Sequence, residues 1–459
     1  MWLIAKSRLW RSLRESRPNP AGMIGLRLGF GRVLSRISSV NTWNFDTKGN
    51  TMTMIENEQA LVNPTGCPIA HFQDVNVVSA PAGWHFNNFA VKREEAPVHT
   101  GLANDHQYFL ITRMVDIRKA FQKPEVFSNT AVTPMEPNPQ FRWIPEMLDG
   151  REHTSWRQLT GPFFTPGAVA EWEPRVRQRF SEVLDVVAAK GSCEFVSEVA
   201  LLFPNVIFMD LFGLPREDAD LFQEWEVDIL HKEFVTPEGQ QRQMGAMGAV
   251  MGYFSDLIQR RRAESTPKND MLTQALNWKI DGKAIPDQDL LDFCLLMFMA
   301  GLDTVAAQLT YSFWHLATHD ADRQRVIAEP AIIPSAIEEF LRYYSFVTPG
   351  RKVMTDTEVA GCPIKAGQMV YLPIAAANRD PREFADADQV ILNRQDNRHI
   401  AFGAGPHRCL GSNLARQELR VAMEMWHERI PNYRLVAGQD LKEHGGQIGM
   451  NSLLLEWDV

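Results

Sequence analysis

The chain has 459 residues, of which 45% are hydrophobic and 22% charged, so it can bury a large core in one large domain or two smaller ones. Its net charge is −9 and its acidic body has no basic stripe, which argues against a DNA- or RNA-binding function. Five cysteines are scattered along the sequence and no short apolar signal peptide is present, so we expect a reducing, cytoplasmic compartment without disulfide bonds.

The first 50 residues differ in charge from the rest of the chain. They hold nine Lys and Arg against Glu15 and Asp46, a net charge of +7, which leaves −16 for the remainder. Such a segment is typical of a transit peptide or a membrane-surface helix, although Met52 or Met54 could equally be the true start. Because Pro and Gly interrupt any long helix here, we predict that residues 1–51 are disordered or not part of the mature fold, and that residues 52–459 form the folded domain.

The body of the chain has helical periodicity followed by shorter β-type runs. Between about residues 165 and 345, apolar residues recur at spacings of three and four, which predicts helices. Residues 353–375 contain short apolar runs broken by Gly and Pro, which predict a small hairpin or sheet, and the terminal SLLLEWDV predicts a strand. We therefore expect a mainly α fold, with a large helical domain and a smaller β-rich region.

The segment 286–319 predicts a long helix with an unusual composition. Pro286 and two aspartates begin it favourably, and Asp303 is its one formal charge between residues 293 and 318. The length would suit a membrane span, but a polar Asp-Thr pair in the middle and the lack of a second span favour a helix through a soluble core. A buried carboxylate costs several kcal/mol unless paired, so Asp303 is expected to have a function.

Two short motifs accompany this helix. In AGLDT, the small pair Ala300-Gly301 leaves a groove for a ligand, and Asp303-Thr304 can deliver protons to it, although a packing glycine and a solvated turn are the alternative. In SAIEEFLRYYS, Ser335 and Glu338 have the spacing of a capping box, and the E-x-x-R that follows lies on one helix face. An E-x-x-R pair alone is a weak signal, because most such pairs are surface salt bridges.

The stretch FGAGPHRCLGSNLAR places Cys409 among three glycines and just before a predicted helix. A thiol near a helix N-terminus, flanked by His407 and Arg408, is expected to be ionised, and the thiolate is the metal-binding form. The glycines permit a tight turn in which backbone N–H groups point at the sulfur and a flat ligand approaches the backbone. A buried structural cysteine is the alternative, but it would not need this density of glycines.

The order AGLDT, EFLR and FGAGPHRCLG resembles the cytochrome P450 haem-thiolate monooxygenases, and the match covers nearly the whole chain after about residue 70. The pattern F-G-x-G-x-H-x-C-x-G is highly specific, and its His is similar to that of the soluble bacterial branch. The resemblance implies a cytochrome P450 fold, haem b with Cys409 as the axial iron ligand, and Asp303-Thr304 as the acid-alcohol pair. It further implies a structural ion-pair triad of Glu339, Arg342 and Arg394.

The resemblance also implies further contacts. Haem propionates need cationic donors, and the matching positions are His153, Arg157, Arg351 and His407, each of which could instead be an ordinary surface residue. The spacing of the motifs and the local QFRWIP resemble the camphor-hydroxylase group in particular. By position, the implied substrate pocket is lined by Phe141, Trp143, Leu296, Met299, Phe346 and Val347, together with the turn at 448–451.

These pocket positions are nearly all apolar, with core packing as the alternative for each, so a compact hydrophobic substrate such as a terpenoid or an aromatic molecule is implied. Phe141 stands where camphor hydroxylase has a tyrosine hydroxyl, so camphor itself should not be preferred. No flavin, nicotinamide or iron–sulfur signature is present in the sequence, so electrons must come from a separate ferredoxin and ferredoxin reductase. An arginine group on the Cys side of the family fold would suit an acidic ferredoxin. Its members are Arg157, Arg408, Arg416 and Arg420.

The expected reaction inserts one oxygen atom from O2 into the substrate. A peroxide-driven haem enzyme and a non-catalytic haem-based binding or sensor protein are the alternatives, and the intact acid-alcohol pair disfavours both. We expect a cytoplasmic monomer without a transmembrane span or a nucleic-acid partner.

Overall fold

The computed structural model describes residues 70–71, 79–103, 106–133, 137–232, 236–445 and 447–459. The predicted extension at 1–51 lies outside the described residues, as does the start of the predicted domain at 52–69. Within the described part, helices dominate and the sheets are small, which confirms the prediction of a mainly α fold.

The helices of the described residues are named here in chain order. The α-helices are α1 (Trp84–Glu95), α2 (Met114–Phe121), α3 (Gly150–Thr160), α4 (Pro166–Val187), α5 (Leu202–Phe212), α6 (Ala219–Glu226), α7 (Pro237–Ala263), α8 (Met271–Ala275), α9 (Asp287–Thr318), α10 (Asp320–Ala328), α11 (Ile333–Tyr343), α12 (Ile374–Asn378) and α13 (Ser412–Arg429). Short 3₁₀ turns lie at Gly161–Phe164, Ala188–Lys190, Arg216–Asp218 and Pro330–Ile332, and π-helical turns at Val196–Ala200 and Val227–His231.

The strands of the described residues form several small sheets. They are β1 (Ala70–His71), β2 (Ala80–Pro81), β3 (Val98–Ala103), β4 (His106–Ile111), β5 (Phe127–Ser128), β6 (Ser192–Glu194), β7 (Lys279–Ile280), β8 (Lys283–Ala284), β9 (Gly350–Val353), β10 (Thr357–Val359), β11 (Cys362–Ile364), β12 (Met369–Tyr371), β13 (Tyr433–Leu435), β14 (Lys442–His444), β15 (Gly449–Met450) and β16 (Leu454–Trp457).

The largest sheet has the order β1-β3-β4-β12-β9-β5. In it β12 pairs antiparallel with β9, so that Val370 lies opposite Arg351. Two three-stranded sheets, β13-β16-β6 and β15-β14-β2, and the hairpins β10-β11 and β7-β8 complete the set. Short strands therefore lie within residues 353–375 and within SLLLEWDV, as the sequence predicts.

The predicted helical region is interrupted by strands. Besides β6, the hairpin β7-β8 lies directly before the central helix, and its turn residues Asp281 and Gly282 have φ of 52° and 76°. Two left-handed residues in succession are typical of a two-residue hairpin, and an Asp-Gly pair supplies them readily. The uniformly helical interpretation of residues 165–345 is thus wrong at this point.

The capping box predicted at Ser335 and Glu338 is also wrong. Helix α11 begins earlier, at Ile333, because Pro334 has its φ already set for the first turn of a helix. Ser335 consequently lies inside the helix, and the carboxylate of Glu338 instead accepts hydrogen bonds of 2.6 and 2.8 Å from Arg416.

The long helix α9 is confirmed and passes through the core. Its first residue is Asp287, and Asp289 lies in the same turn, where carboxylates are favourable near a helix N-terminus. The first half of the helix contributes Phe293 and Leu302 to one hydrophobic cluster. The second half contributes Leu309 to a different cluster. Among the described helices it has the length and composition of a membrane span, but 61% of its apolar window is buried, which is typical of the core helix of a soluble protein.

Candidate active site

The middle of α9 carries a short open stripe. Ala300 is exposed and Thr304, one turn later, is half-buried, whereas most of their neighbours on the helix are buried. The Thr304 hydroxyl donates to the Ala300 carbonyl at 2.9 Å. A Cβ added to Gly301 would lie 3.4 Å from Phe208, so the glycine also lets α5 approach closely. The exposed Ala300 and the half-buried Thr304 hydroxyl are consistent with the groove predicted here, which stays a prediction.

Asp303 points into the protein rather than into this opening. It is 4% exposed, and its Oδ1 accepts a hydrogen bond of 2.5 Å from His231 Nε2. Burial alone would raise the pKa of Asp303, but His231 and His444 nearby lower it by more. The buried carboxylate expected from the sequence therefore has a partner, and that partner lies on a different helix.

The Cys409 turn has the geometry expected of a ligand-binding loop. The Cys409 amide donates to the Phe402 carbonyl at 2.8 Å, and the amide of Gly411 donates to the sulfur. Gly405 has a φ of 73°, and a Cβ there would lie 2.5 Å from the carbonyl oxygen of Phe121, so no other residue fits without movement. Helix α13 then begins at residue 412. The turn thus presents a thiol at its surface, with the backbone closely packed behind it.

Cys409 is the exposed cysteine of the described part of the chain, whereas Cys193, Cys294 and Cys362 are buried. The surrounding protein nevertheless raises the pKa of the Cys409 thiol, because burial outweighs the lowering by Gly411 and by nearby arginines. The ionised state expected of this thiol from the helix terminus and the flanking cations therefore stays a prediction. A bound metal ion would supply what is missing, since coordination deprotonates a thiol outright.

His407 and His153 stack on one another beside Asp149. Their ring centroids are 3.9 Å apart, and His407 Nε2 lies 3.1 Å from Asp149 Oδ1. Burial, together with the charges of His407 and Arg157, lowers the pKa of His153 to about 4. Asp149 therefore bonds to His407, whereas His153 feels the aspartate only through its charge, which raises its pKa less than burial lowers it.

Arg351 and Arg157 complete this group of basic side chains. Arg351 is buried over the ring of Phe121, 5.2 Å from its centroid, and burial lowers its pKa to about 10. Arg157 donates to the Arg408 carbonyl at 2.8 Å and lies close enough to Cys409 to lower the pKa of the thiol. The structure thus brings all four predicted propionate-binding residues to the region around Asp149 and the Cys409 turn.

This arrangement fits a flat, anionic, metal-containing group such as haem. Burial lowers the pKa values of His153 and Arg351, because their charged forms lose contact with water. A bound anion beside them would stabilise these charged forms. Two propionates would do so through charge-assisted hydrogen bonds. The glycine turn lets a flat ring lie close to the backbone, and Cys409 could bind the metal.

The sequence analysis missed Glu146, which lies in the loop before α3. The side chain is half-buried, and burial raises its pKa despite the nearby charges of Arg351 and His407. Its carboxyl group therefore lies among the basic side chains, close enough to Arg351 and His407 to interact with their charges. The signal available in the sequence was an acidic residue directly after Ile144-Pro145, the last two residues of QFRWIP.

Glu339, Arg342 and Arg394 are brought together in the core. Glu339 accepts from Arg342 at 2.7 and 2.8 Å and from Arg394 at 3.0 Å, and the side chains of Glu339 and Arg342 are fully buried. Arg342 also donates to the carbonyls of Asn378 and Ala387. The three residues therefore fasten α11 to the irregular segment that leads to the Cys409 turn.

The predicted pocket residues form two groups. The rings of Phe141 and Trp143 stack at 4.7 Å, and Trp143 and Met299 pack against the cluster around the first half of α9. Phe346 and Val347 instead pack in or against the other cluster, and the Phe346 carbonyl accepts from the amide of Ile448 at 3.4 Å. Leu296 is buried on α9. The indole N–H of Trp143 is buried without a hydrogen-bond partner. This side of the predicted pocket therefore has one hydrogen-bond donor.

Two of the four arginines expected to form a basic docking surface are neutralised by ion pairs. Arg416 is paired with Glu338, and Arg420 lies 2.6 Å from Glu173 and 3.1 Å from Glu424. Arg157 instead donates to the Arg408 carbonyl and Arg408 to the Ser412 hydroxyl, both uncharged acceptors, so the basic docking surface stays a prediction.

Comparison with known proteins matches residues 76–429 to the family described as Cytochrome P450. The chain belongs to the cytochrome P450 family. Among curated proteins it is 32% identical to a probable cytochrome P450 127A1 of Sinorhizobium fredii, covering 76% of this chain and 83% of that one. It is also 32% identical to the vitamin D(3) 25-hydroxylase of Pseudonocardia autotrophica, covering 77% and 88%.

Solved structures agree on the fold. The chain resembles CYP101J2 with a TM-score of 0.75 and 28% identity, over 85% of this chain and 97% of that one. It resembles CYP109E1 from Bacillus megaterium, solved in complex with testosterone, with a TM-score of 0.75 and 27% identity, over 82% and 98%. The protein thus has the cytochrome P450 fold and is an oxidoreductase, a haem-thiolate monooxygenase with haem b as its cofactor. P450 enzymes in general use redox partners, hydrophobic substrates and O2.

Proposed function

We propose that this P450 inserts one oxygen atom from O2 into a compact hydrophobic substrate of terpenoid or aromatic type. The main observation behind this proposal is the open stripe at Ala300 and Thr304 in the middle of a mostly buried helix. Apolar side chains such as Met299 and Trp143 pack nearby. A site walled in this way recognises shape and apolar area with few polar contacts. Relatives whose names specify vitamin D(3) hydroxylation, steroid C26 oxidation and pentalenic acid synthesis support the substrate class.

In this proposal Cys409 would bind the haem iron, and four basic side chains would hold the propionates. They are His153, Arg157, Arg351 and His407. Haem supplies the one-electron and dioxygen chemistry when bound. The chain's own part is to hold the substrate in the apolar pocket, to exclude water, and to move protons from the Asp303 carboxylate through the Thr304 hydroxyl. Glu339, Arg342 and Arg394 keep the fold and take no part in the chemistry.

We further propose that the electrons come from a separate ferredoxin and ferredoxin reductase, and that the protein is a cytoplasmic monomer without a transmembrane span or a nucleic-acid partner. The burial of α9 supports the absence of a span. The test is turnover of a terpenoid and aromatic panel under ¹⁸O2 with a ferredoxin system and NAD(P)H. One ¹⁸O atom per product is expected. Product formed with peroxide alone would establish the peroxide-driven alternative, and haem binding without any product would favour a sensor.

Thr304→Ala is expected to leave haem binding and O2 consumption largely intact but to lower product formed per electron at least about threefold, with the electrons appearing in peroxide or water. The reason is that the hydroxyl, which now donates to the Ala300 carbonyl, steers protons in the site. Thr310→Ala serves as a control, because its hydroxyl makes the same kind of bond to Ala306 in the buried half of α9. An unchanged product yield in Thr304→Ala would rule out this role.

Phe141→Tyr is expected to tighten binding of a compact ketone such as camphor by about tenfold while leaving the matching hydrocarbon unchanged. A ketone buried without a partner loses about 1–3 kcal/mol, which the added hydroxyl would restore. The measurement is the haem spin-state titration with both ligands. Phe163→Tyr, beside Trp278, is the matched control. Equal shifts for ketone and hydrocarbon would show that residue 141 does not face the pocket.

A further inference from the structure

A π-helical turn places two ionisable side chains over Asp303. Helix α6 ends at Glu226 and continues as the π-turn Val227–His231, closed by a hydrogen bond of 3.1 Å from the Lys232 amide to the Val227 carbonyl. In an α-helix, residues five apart point about 140° away from each other. The wider π-turn brings positions 226 and 231 close to one face, and such turns are frequent at functional sites.

His231 is the more accessible partner of Asp303. The Nε2 to Oδ1 distance is 2.5 Å, and the side chains are 15% and 5% exposed respectively. The imidazole therefore touches the buried carboxylate on one side and is accessible to solvent on the other. Within the described chain, the Asp303 carboxylate has no other hydrogen-bond partner.

The other titratable groups around this pair are a second histidine, His444, and a buried glutamate, Glu226. The ring of His444, on β14, lies 4.9 Å from that of His231 and its Nδ1 bonds to Asn451. Glu226 is fully buried, neither of its oxygens has a hydrogen-bond partner, and burial together with the charge of Asp303 raises its pKa well above the ordinary value. Burial and His231 lower the pKa of His444.

Further charged groups on the same turn are already paired. Asp228 forms ion pairs with Lys232 and with Arg242, which lies on α7. Because these residues pair with one another, the charged partner of His231 is Asp303. The ion pair of His231 and Asp303 lies beside the unpartnered carboxyl group of Glu226 and the imidazole of His444.

We propose that His231 is a positioning residue that links Asp303 to solvent and replaces the protons that Asp303 passes to Thr304. This rests on the proton-delivery role proposed above for the acid-alcohol pair. In each step the His231 Nε2–H bond breaks, an O–H bond forms on Asp303, and the imidazole regains a proton from water. No electrons move, so the step needs no further reactant.

The proposal has a definite pH dependence. Burial alone would lower the pKa of His231, but Asp303 raises it by more, so its folded-state pKa lies above the ordinary value. A group of this kind keeps its proton below the raised pKa and loses it as pH rises through that value. Product formed per electron should therefore decline on the alkaline side in the wild-type protein.

The experiment compares His231→Gln with His319→Gln in the haem-loaded enzyme from about pH 6 to about pH 9. Glutamine keeps a donor for Asp303 but cannot be recharged from water, so its product per electron should be about tenfold lower and independent of pH. His319 is an exposed imidazole just beyond the C-terminal end of α9, and its removal should preserve the wild-type profile. A His231→Gln enzyme with the wild-type yield and pH profile would overturn the proposal.

A second readout does not depend on turnover. NMR titration of the His231 ring should give a raised pKa in the wild-type protein and a lower one in Asp303→Asn, and equal values would overturn the pairing. If Thr304→Ala lowers the product yield but His231→Gln does not, the proposal for His231 alone fails. If Thr304→Ala has no effect either, the proton-delivery role on which it rests fails as well.

Discussion

Replacing Cys409 with serine is expected to abolish thiolate ligation of the haem iron and, with it, the red-shifted absorption band of the reduced protein under carbon monoxide. The thiolate pushes electron density onto the iron, which a serine hydroxyl cannot match. Monooxygenase turnover should fall at least about a hundredfold, which corresponds to about 2.7 kcal/mol of activation free energy. Neither Cys193 nor Cys294 can substitute, because both are buried away from a glycine turn.

Cys193→Ser is the matched control for this measurement. Cys193 is a buried cysteine on β6, far along the chain from the Cys409 turn, and its replacement should leave the carbon monoxide band in place. A red-shifted band that survives in Cys409→Ser would place the iron ligand elsewhere and would contradict the assignment of the turn.

Glu339→Gln is expected to destabilise the folded protein by about 3–5 kcal/mol, because it leaves Arg342 buried without its counter-charge. Both side chains are fully buried in the ion pair, so water cannot replace the lost interaction. Arg394 loses the same partner. The measurement is the free energy of unfolding in urea, followed by circular dichroism and by haem absorbance.

Glu358→Gln provides the comparison, since Glu358 is an exposed acid on β10. Removing its charge should change the free energy of unfolding by less than about 0.5 kcal/mol. Similar small effects for both variants would mean that the buried triad contributes little to stability.

Local sequence signals were sufficient for much of the fold. The start of α9 at Pro286 and the positive-φ glycines of the Cys409 turn follow from residue types whose conformations are restricted or unusually free. The hairpin β7-β8 could have been predicted as well, because Asp281-Gly282 is a strong turn signal that the helical pattern around it obscured. In the same way, Pro334 indicates the start of α11 better than Ser335 does.

Other features depend on contacts between distant segments. His231 and Asp303 are 72 positions apart, and their contact requires a π-turn that no local pattern announces. The surroundings of the Cys409 thiol likewise depend on distant segments, since Arg157 on α3 lies close enough to lower the pKa of the thiol while burial raises it. The grouping of Glu339 with Arg394 was predicted by family resemblance, since spacing alone gives no reason for it.

The paired arginines beside the Cys409 turn affect how an electron donor would approach. Arg416 and Arg420 each have a glutamate oxygen at 2.6 Å, well within the screening length of about 8 Å in physiological salt. At these two positions an approaching acidic protein would therefore meet short dipoles rather than a positive field, which weakens the long-range attraction. We expect the association rate to decline only gently as ionic strength rises, so that the fit of the two surfaces, more than their opposite charge, selects the partner.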